Sequence, residues 1–172
     1  LLVVFVFNSC GITQPPLRTI DRPITLTIDA NDHGIIFLKA RVNQSRWMSF
    51  ALDSGASFPF VVDSRRAQEL KLQLSNKRTL TTGGGPAGYS VSDVESINVD
   101  LGNLHLTIQP AKVLSLSSLE SIAGRHLDGL VGQYLFRQYI VEIDYAGQTI
   151  RLHEPGDFTY QGTGDVLPLV DN

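Results

Sequence analysis

Ala51-Leu52-Asp53-Ser54-Gly55-Ala56-Ser57 decides how the rest of the chain is read. The apolar run from Trp47 to Leu52 leads into it and predicts a strand, so a single carboxylate arrives at a strand end and is followed only by small side chains. Alone, Asp-Ser-Gly is a common turn sequence, because all three residues suit tight backbone. A second segment gives it context. Some seventy-five residues on lies Leu127-Asp128-Gly129-Leu130-Val131-Gly132, two aliphatics closed by a glycine. The alternating run Tyr139-Ile140-Val141-Glu142-Ile143-Asp144-Tyr145 follows and predicts another strand.

The 172 residues, 42% hydrophobic and 18% charged, hold the core material of one globular domain. A net charge of -3, with no run of like charges, offers no electrostatic footprint for nucleic acid. The single cysteine, Cys10, excludes an internal disulfide and a multi-cysteine zinc site. His33, His105, His126 and His153 are too far apart for a local metal pair, so neither metal nor cofactor is expected. No G-x-S-x-G elbow occurs, and Ser, His and Asp show no motif spacing for a serine or cysteine hydrolase.

From Ile24 onward the pattern is mainly β. Ile24, Leu26 and Ile28 alternate with threonines; Ile36, Leu38, Ala40 and Val42 alternate in the next segment; Asn43-Gln44-Ser45 predicts the turn into the Trp47–Leu52 strand. That triplet is also a glycosylation sequon, which a hairpin turn accounts for. Asp63 is a candidate N-cap for a short helix from Ser64 to Leu72, with Ala67 and Leu70 inward. Ile97, Val99 and Leu101 form a second hairpin with Leu104, Leu106 and Ile108 across Gly102-Asn103. A short helix from Tyr134 to Gln138 precedes the Tyr139–Tyr145 strand, which Ala146-Gly147 turns into Thr149–Leu152. Short strands, glycine-rich turns and one or two short helices predict a closed or nearly closed β-barrel.

In their order and separation, the Asp53 and Leu127–Gly132 segments resemble the retropepsin-like aspartic peptidases, in particular their bacterial single-domain branch. The resemblance spans roughly Ile24 to His153 and implies a retropepsin-like barrel acting on extended polypeptide. Asp53 would be the catalytic acid, and Ser54, Gly55 and Ala56 its loop. The Ser54 hydroxyl would bond across to an opposite loop, and Gly55 would remove a side chain where two loops crowd. Leu130, Val131 and Gly132 would support the loop from behind, with glycine at 132 letting the backbone pass close. Asp128 and Asp144 would be structural. Gly83, Gly84, Gly85 and Gly88 lie where the family carries its flap, although an ordinary flexible loop reads equally well. Gly83, Gly85 and Gly88 also satisfy G-x-G-x-x-G, but Pro86 interrupts them and Ser90-Val91-Ser92 continues without helical periodicity, which excludes a dinucleotide site. The mechanism needs two carboxylates sharing one proton, and the chain holds a single Asp-Ser-Gly, so the resemblance implies a homodimer or a following second domain.

The ends read differently. Leu1 to Phe7 is apolar but too short to span a bilayer, and Asn8-Ser9-Cys10-Gly11 and Gln14-Pro15-Pro16 follow it. With no partner expected in a compact fold, residues 1–22 read as a signal and lipoprotein-like leader with linker, and Cys10 as the lipidation site. This implies a bacterial protein exported across the inner membrane, periplasmic or membrane-anchored. A buried strand with an incidental cysteine is the alternative. Residues 23–155 are the expected peptidase domain. Residues 156–172 form a tail in which Asp165 to Leu169 echoes Arg22 to Leu26, as if a further domain began there. A catalytically silent peptide-binding module and an envelope lipoprotein with the same barrel are the competing functions.

Overall fold

The computed structural model describes residues 2–5, 23–30, 34–80, 88–165 and 167. The sequence alternation reappears as sidedness. Strand β1 (Leu2–Phe5) is followed by β2 (Ile24–Ala30), β3 (Ile36–Val42) and β4 (Met48–Leu52). In β2 every second residue from Ile24 to Ile28 is buried and the threonines between them face out. Asn43 and Gln44 take positive φ (48° and 62°) in a tight turn between β3 and β4, closed by the Ser45 N–H donating to the Val42 carbonyl at 3.0 Å. Next come β5 (Phe60–Asp63) and α1 (Ser64–Glu69), with the Asp63 side chain accepting from the Arg65 N–H as the expected N-cap. All four residues of β5 are buried, so it shows no alternation.

The hairpin β6 (Ser75–Leu80) and β7 (Tyr89–Val94) flanks residues 81–87. The hairpin β8 (Ile97–Leu101) and β9 (Leu104–Ile108) forms as expected around Gly102 at φ 60°. Strand β10 (Ala111–Leu114) and helix α2 (Ser117–Ala123) precede β11 (Gly129–Val131), α3 (Tyr134–Gln138), β12 (Ile140–Asp144) and β13 (Thr149–His153).

Pairing runs β1-β12-β13-β2-β3-β4-β11-β5-β10-β7-β6, with β8 branching from β3. No pair among the described residues joins β1 to β6, so the sheet is open and the expected closed barrel is not met. Strand β3 is shared: Phe37 to Ala40 pair with β4, while Arg41 and Val42 pair with β8. The N-terminal apolar run also departs from expectation. Its residues 2–5 do have a partner in a compact fold, pairing antiparallel with β12 from Leu2↔Asp144 to Phe5↔Val141.

The two faces of β3 and β4 feed two apolar clusters. Leu38, Ala40, Met48 and Phe50 enter the larger, where the Phe50 and Phe60 rings lie 4.9 Å apart. Phe37 and Ala51 enter the smaller, with Val61, Leu116, Leu127 and Leu130. Asp53 therefore stands at the end of a strand anchored on both sides.

Candidate active site

Strand β4 lies parallel to β11, with Ala51 opposite Leu130 and Leu52 opposite Val131, and β11 runs antiparallel to β5. This pairing brings the two informative segments together. The ladder continues one residue beyond β4, where the Asp53 N–H donates to the Val131 carbonyl at 2.9 Å. The chain then turns back on the carboxylate. The Gly55 N–H donates to Asp53 Oδ1 at 2.9 Å and the Ala56 N–H to the Asp53 carbonyl at 3.2 Å. Asp53 is thus oriented by its own loop and half-buried, whereas Ser54 and Gly55 are exposed.

Gly132 holds that loop from behind. A Cβ built there would lie 1.9 Å from the Phe58 carbonyl oxygen and 3.1 Å from that of Ala56, so backbone occupies the space a side chain would need. The close approach is fastened by Gly132 N–H to the Pro59 carbonyl at 3.1 Å and Gln133 N–H to the Ala56 carbonyl at 3.2 Å. The Gln133 side-chain amide adds a bond to the Ser57 carbonyl. Gly129 is equally constrained, since a Cβ would stand 2.0 Å from the Phe50 ring and 2.3 Å from the Val61 carbonyl oxygen.

Asp53 and Ser54 open onto a cavity of about 330 Å³ whose other walls are mostly apolar, among them Ile35, Leu119, Ile122 and Leu130. Asp53 is the one carboxylate among its described lining residues. Asp128 points elsewhere: its Oδ2 accepts from the Ser49 N–H at 2.7 Å and its Oδ1 from Arg66 Nε at 2.5 Å. Asp144 accepts from the Gly147 N–H at 2.9 Å in the β12–β13 turn. Both carboxylates are engaged in holding turns and neighbouring strands.

A family model described as aspartyl protease matches residues 38–135, more than half the chain and inclusive of both informative segments. The chain belongs to that family. The aspartic peptidase resemblance read from those segments is thereby met. Among solved structures it is similar to a retropepsin-like aspartic protease from Rickettsia conorii, at 21% identity and a TM-score of 0.49, over 76% of this chain and 89% of that one. It is also similar to EIAV protease complexed with the inhibitor HBY-793, at 16% identity and a TM-score of 0.39, over 58% of this chain and 97% of that one. Basic 7S globulin from soybean matches at 11% identity and a TM-score of 0.38, over 77% of this chain and 42% of that one. A comparison with curated proteins gives no significant match.

Of the residues singled out from sequence, Asp53 to Ala56 and Leu130 to Gly132 form one hydrogen-bonded unit. Gly88 is exposed just before β7, while Gly83, Gly84, Gly85 and Cys10 lie outside the described residues. Sequence reading missed α2, three of whose residues, Leu119, Ile122 and Ala123, line the cavity. A signal existed in Ser117-Ser118-Leu119-Glu120 followed by Gly124, a capping-box pattern with a glycine stop. The helix uses it only in part: Gly124 takes φ 67° at the C-cap, but no side chain caps the N-terminus at Leu116.

The missed helix carries charge on its far side. Burial alone would raise the Asp63 carboxyl, but bonds from Arg65 and the Leu116 N–H outweigh it and hold it below the usual carboxylate range. Arg65 and the Leu127 N–H do the same for Glu120. Farther away, Lys112 and Arg78 draw the Asp93 carboxyl down to about 2. That carboxylate pairs with Lys112 Nζ at 2.7 Å, and the ammonium lies 5.8 Å from the centroid of the Phe58 ring in the Asp53 loop.

Proposed function

We propose that the protein is an aspartic endopeptidase that hydrolyses peptide bonds in extended polypeptide segments. Asp53 supplies one carboxylate of a dyad whose mate is Asp53 of a second copy or an equivalent acid of a following domain. The observation that carries this reading is the single half-buried carboxylate at a strand end, oriented by the Gly55 N–H and opening onto an apolar cavity. Two carboxylates about 3 Å apart cannot both ionise, so they hold one proton between them. The ionised member takes a proton from water, and the protonated member hydrogen-bonds the scissile carbonyl as the tetrahedral centre forms. The proton then passes to the leaving amine, with no acyl-enzyme on the path. An apolar wall beside the acid suits a peptide side chain flanking the cleaved bond. The glycines at 83–85 and 88 would act as the flap closing over it.

The test is cleavage of an unstructured protein such as casein between pH 4 and 7, with pepstatin as inhibitor and Asp53→Asn as control. The amide can still accept the Gly55 N–H, so the variant should fold while losing nearly all activity. Activity retained by folded Asp53→Asn protein would sink the proposal. Binding of peptide without turnover in the wild type would favour the silent peptide-binding module.

A further inference from the structure

Helix α2 is amphipathic in an unusual sense. One side, with Leu119 and Ile122, faces the cavity beside Asp53; the other presents Glu120 to a network of charges. Leu116 and Ala123 seat it in the smaller apolar cluster with Leu119 packed against them, while Ile122 is 67% exposed. Charges fasten it further. Glu120 Oε1 takes three donors: Arg65 Nη2 at 2.8 Å, the Leu127 N–H at 2.9 Å and His126 Nδ1 at 2.6 Å. With its proton on Nδ1, His126 accepts at Nε2 from Arg66 Nη2, 2.9 Å away. Arg66 in turn bonds Asp128, whose carboxylate and backbone are tied to Ser49 of β4. Arg65 also donates to buried Asp63, which accepts from the N–H of Leu116 at the start of α2.

The middle of the helix is therefore tied to α1 through the Glu120 carboxylate, and the segment that follows it to α1 through the His126 imidazole, with Arg66 and Asp128 carrying the link on to β4. We propose that Glu120 and His126 are positioning residues, holding α2 through Arg65, Arg66 and Asp128 as the wall that receives an apolar substrate side chain beside Asp53. The substrate part rests on the peptidase reading above; the clamp itself does not. Without the clamp, the wall still exists but is no longer held at a fixed distance from the acid. A wall of that kind should affect substrate binding more than the chemical step.

Hydrogen–deuterium exchange on the full chain tests the clamp. In Glu120→Ala and in His126→Ala, amides 117–127 should exchange about tenfold faster or more, while those of β3 and β4 stay protected. Unchanged exchange at 117–127 in both variants would overturn the proposal. Should Glu120→Ala fail to fold, exposed His126 gives the second variant, and Glu120→Gln, which keeps an acceptor for Leu127, should exchange at an intermediate rate. Kinetics with two peptides differing by Leu or Ser next to the cleaved bond test the wall. Glu120→Ala should raise KM for the Leu peptide about fivefold with kcat within about twofold, and Glu120→Gln should recover most of it. A fall in kcat with KM unchanged would overturn the positioning role. If wild type cleaves neither peptide, the peptidase reading fails while the exchange data still decide the clamp.

Discussion

At the scale of single residues, two positions carry the site by opposite means. Asp53 contributes a functional group and Gly132 contributes the absence of one. Gly132→Ala would push a methyl into the Phe58 carbonyl oxygen 1.9 Å away, and the loop fastened by Pro59 and Ala56 has no room to yield. We expect a loss of about 3 kcal/mol, read as a lowered urea midpoint at unchanged m-value. Asp53→Asn should leave that midpoint close to wild type, because the hydrogen bond from Gly55 survives. Asp53 was legible as a lone acid at a strand end, and Gly132 as the glycine closing an aliphatic pair. The Glu120 clamp was not, because its partners Arg65 and Leu127 stand on different elements and nothing local marks them as neighbours.

At the scale of elements, the β6–β7 hairpin is attached to β10 through a charge pair. Asp93 of β7 accepts from Lys112 of β10 at 2.7 Å and from Arg78 of β6 at 3.0 Å, with Asp93 and Lys112 both buried. Removing one partner strands the other charge in a poorly solvated place. Asp93→Ala should therefore cost about 3 kcal/mol, measured by denaturant unfolding. Its pH dependence has a definite sign. The folded carboxyl lies at about 2, below its ordinary 3.8, so the stabilisation is complete above about pH 4 and is lost as pH falls toward 2. Wild type should lose stability across that window and Asp93→Ala should lose less; equal slopes would show that the pair does not stabilise. Among elements, β2, β3, β8 and β9 were readable from alternation, and α1 from its Asp63 cap. Strand β5 was not, since burial on both sides erases period two; α2 carried a start and stop signal in Ser117, Glu120 and Gly124, but two turns are too short to show a helical period.

At the scale of the whole molecule, the proposed dyad requires a second acid, from another copy or from a following domain. If the active centre needs two copies, activity per milligram should fall on dilution below the dimer dissociation constant. Excess Asp53→Asn protein should then poison wild type through mixed dimers. Full specific activity in a sample shown to be monomeric by analytical ultracentrifugation would exclude the two-copy arrangement. The proposal that Cys10 is lipidated belongs to the same scale: if it is acylated, Cys10→Ser should move the protein from the membrane fraction to the soluble one, or leave an uncleaved precursor. Processing before Cys10 would also remove β1 and bare the edge of β12. By itself, the sequence determined the strand and turn pattern, the lone acid, the glycine behind it and the aspartyl protease family, because each depends on residues close together or on a short motif. Only the tertiary structure decided that β4 lies parallel to β11, that α2 walls the cavity, that the N-terminal strand finds β12 and that the sheet stays open. Parallel pairing and sheet closure depend on the register of strands far apart in sequence, and hydrophobic periodicity reports which face is buried without reporting against what.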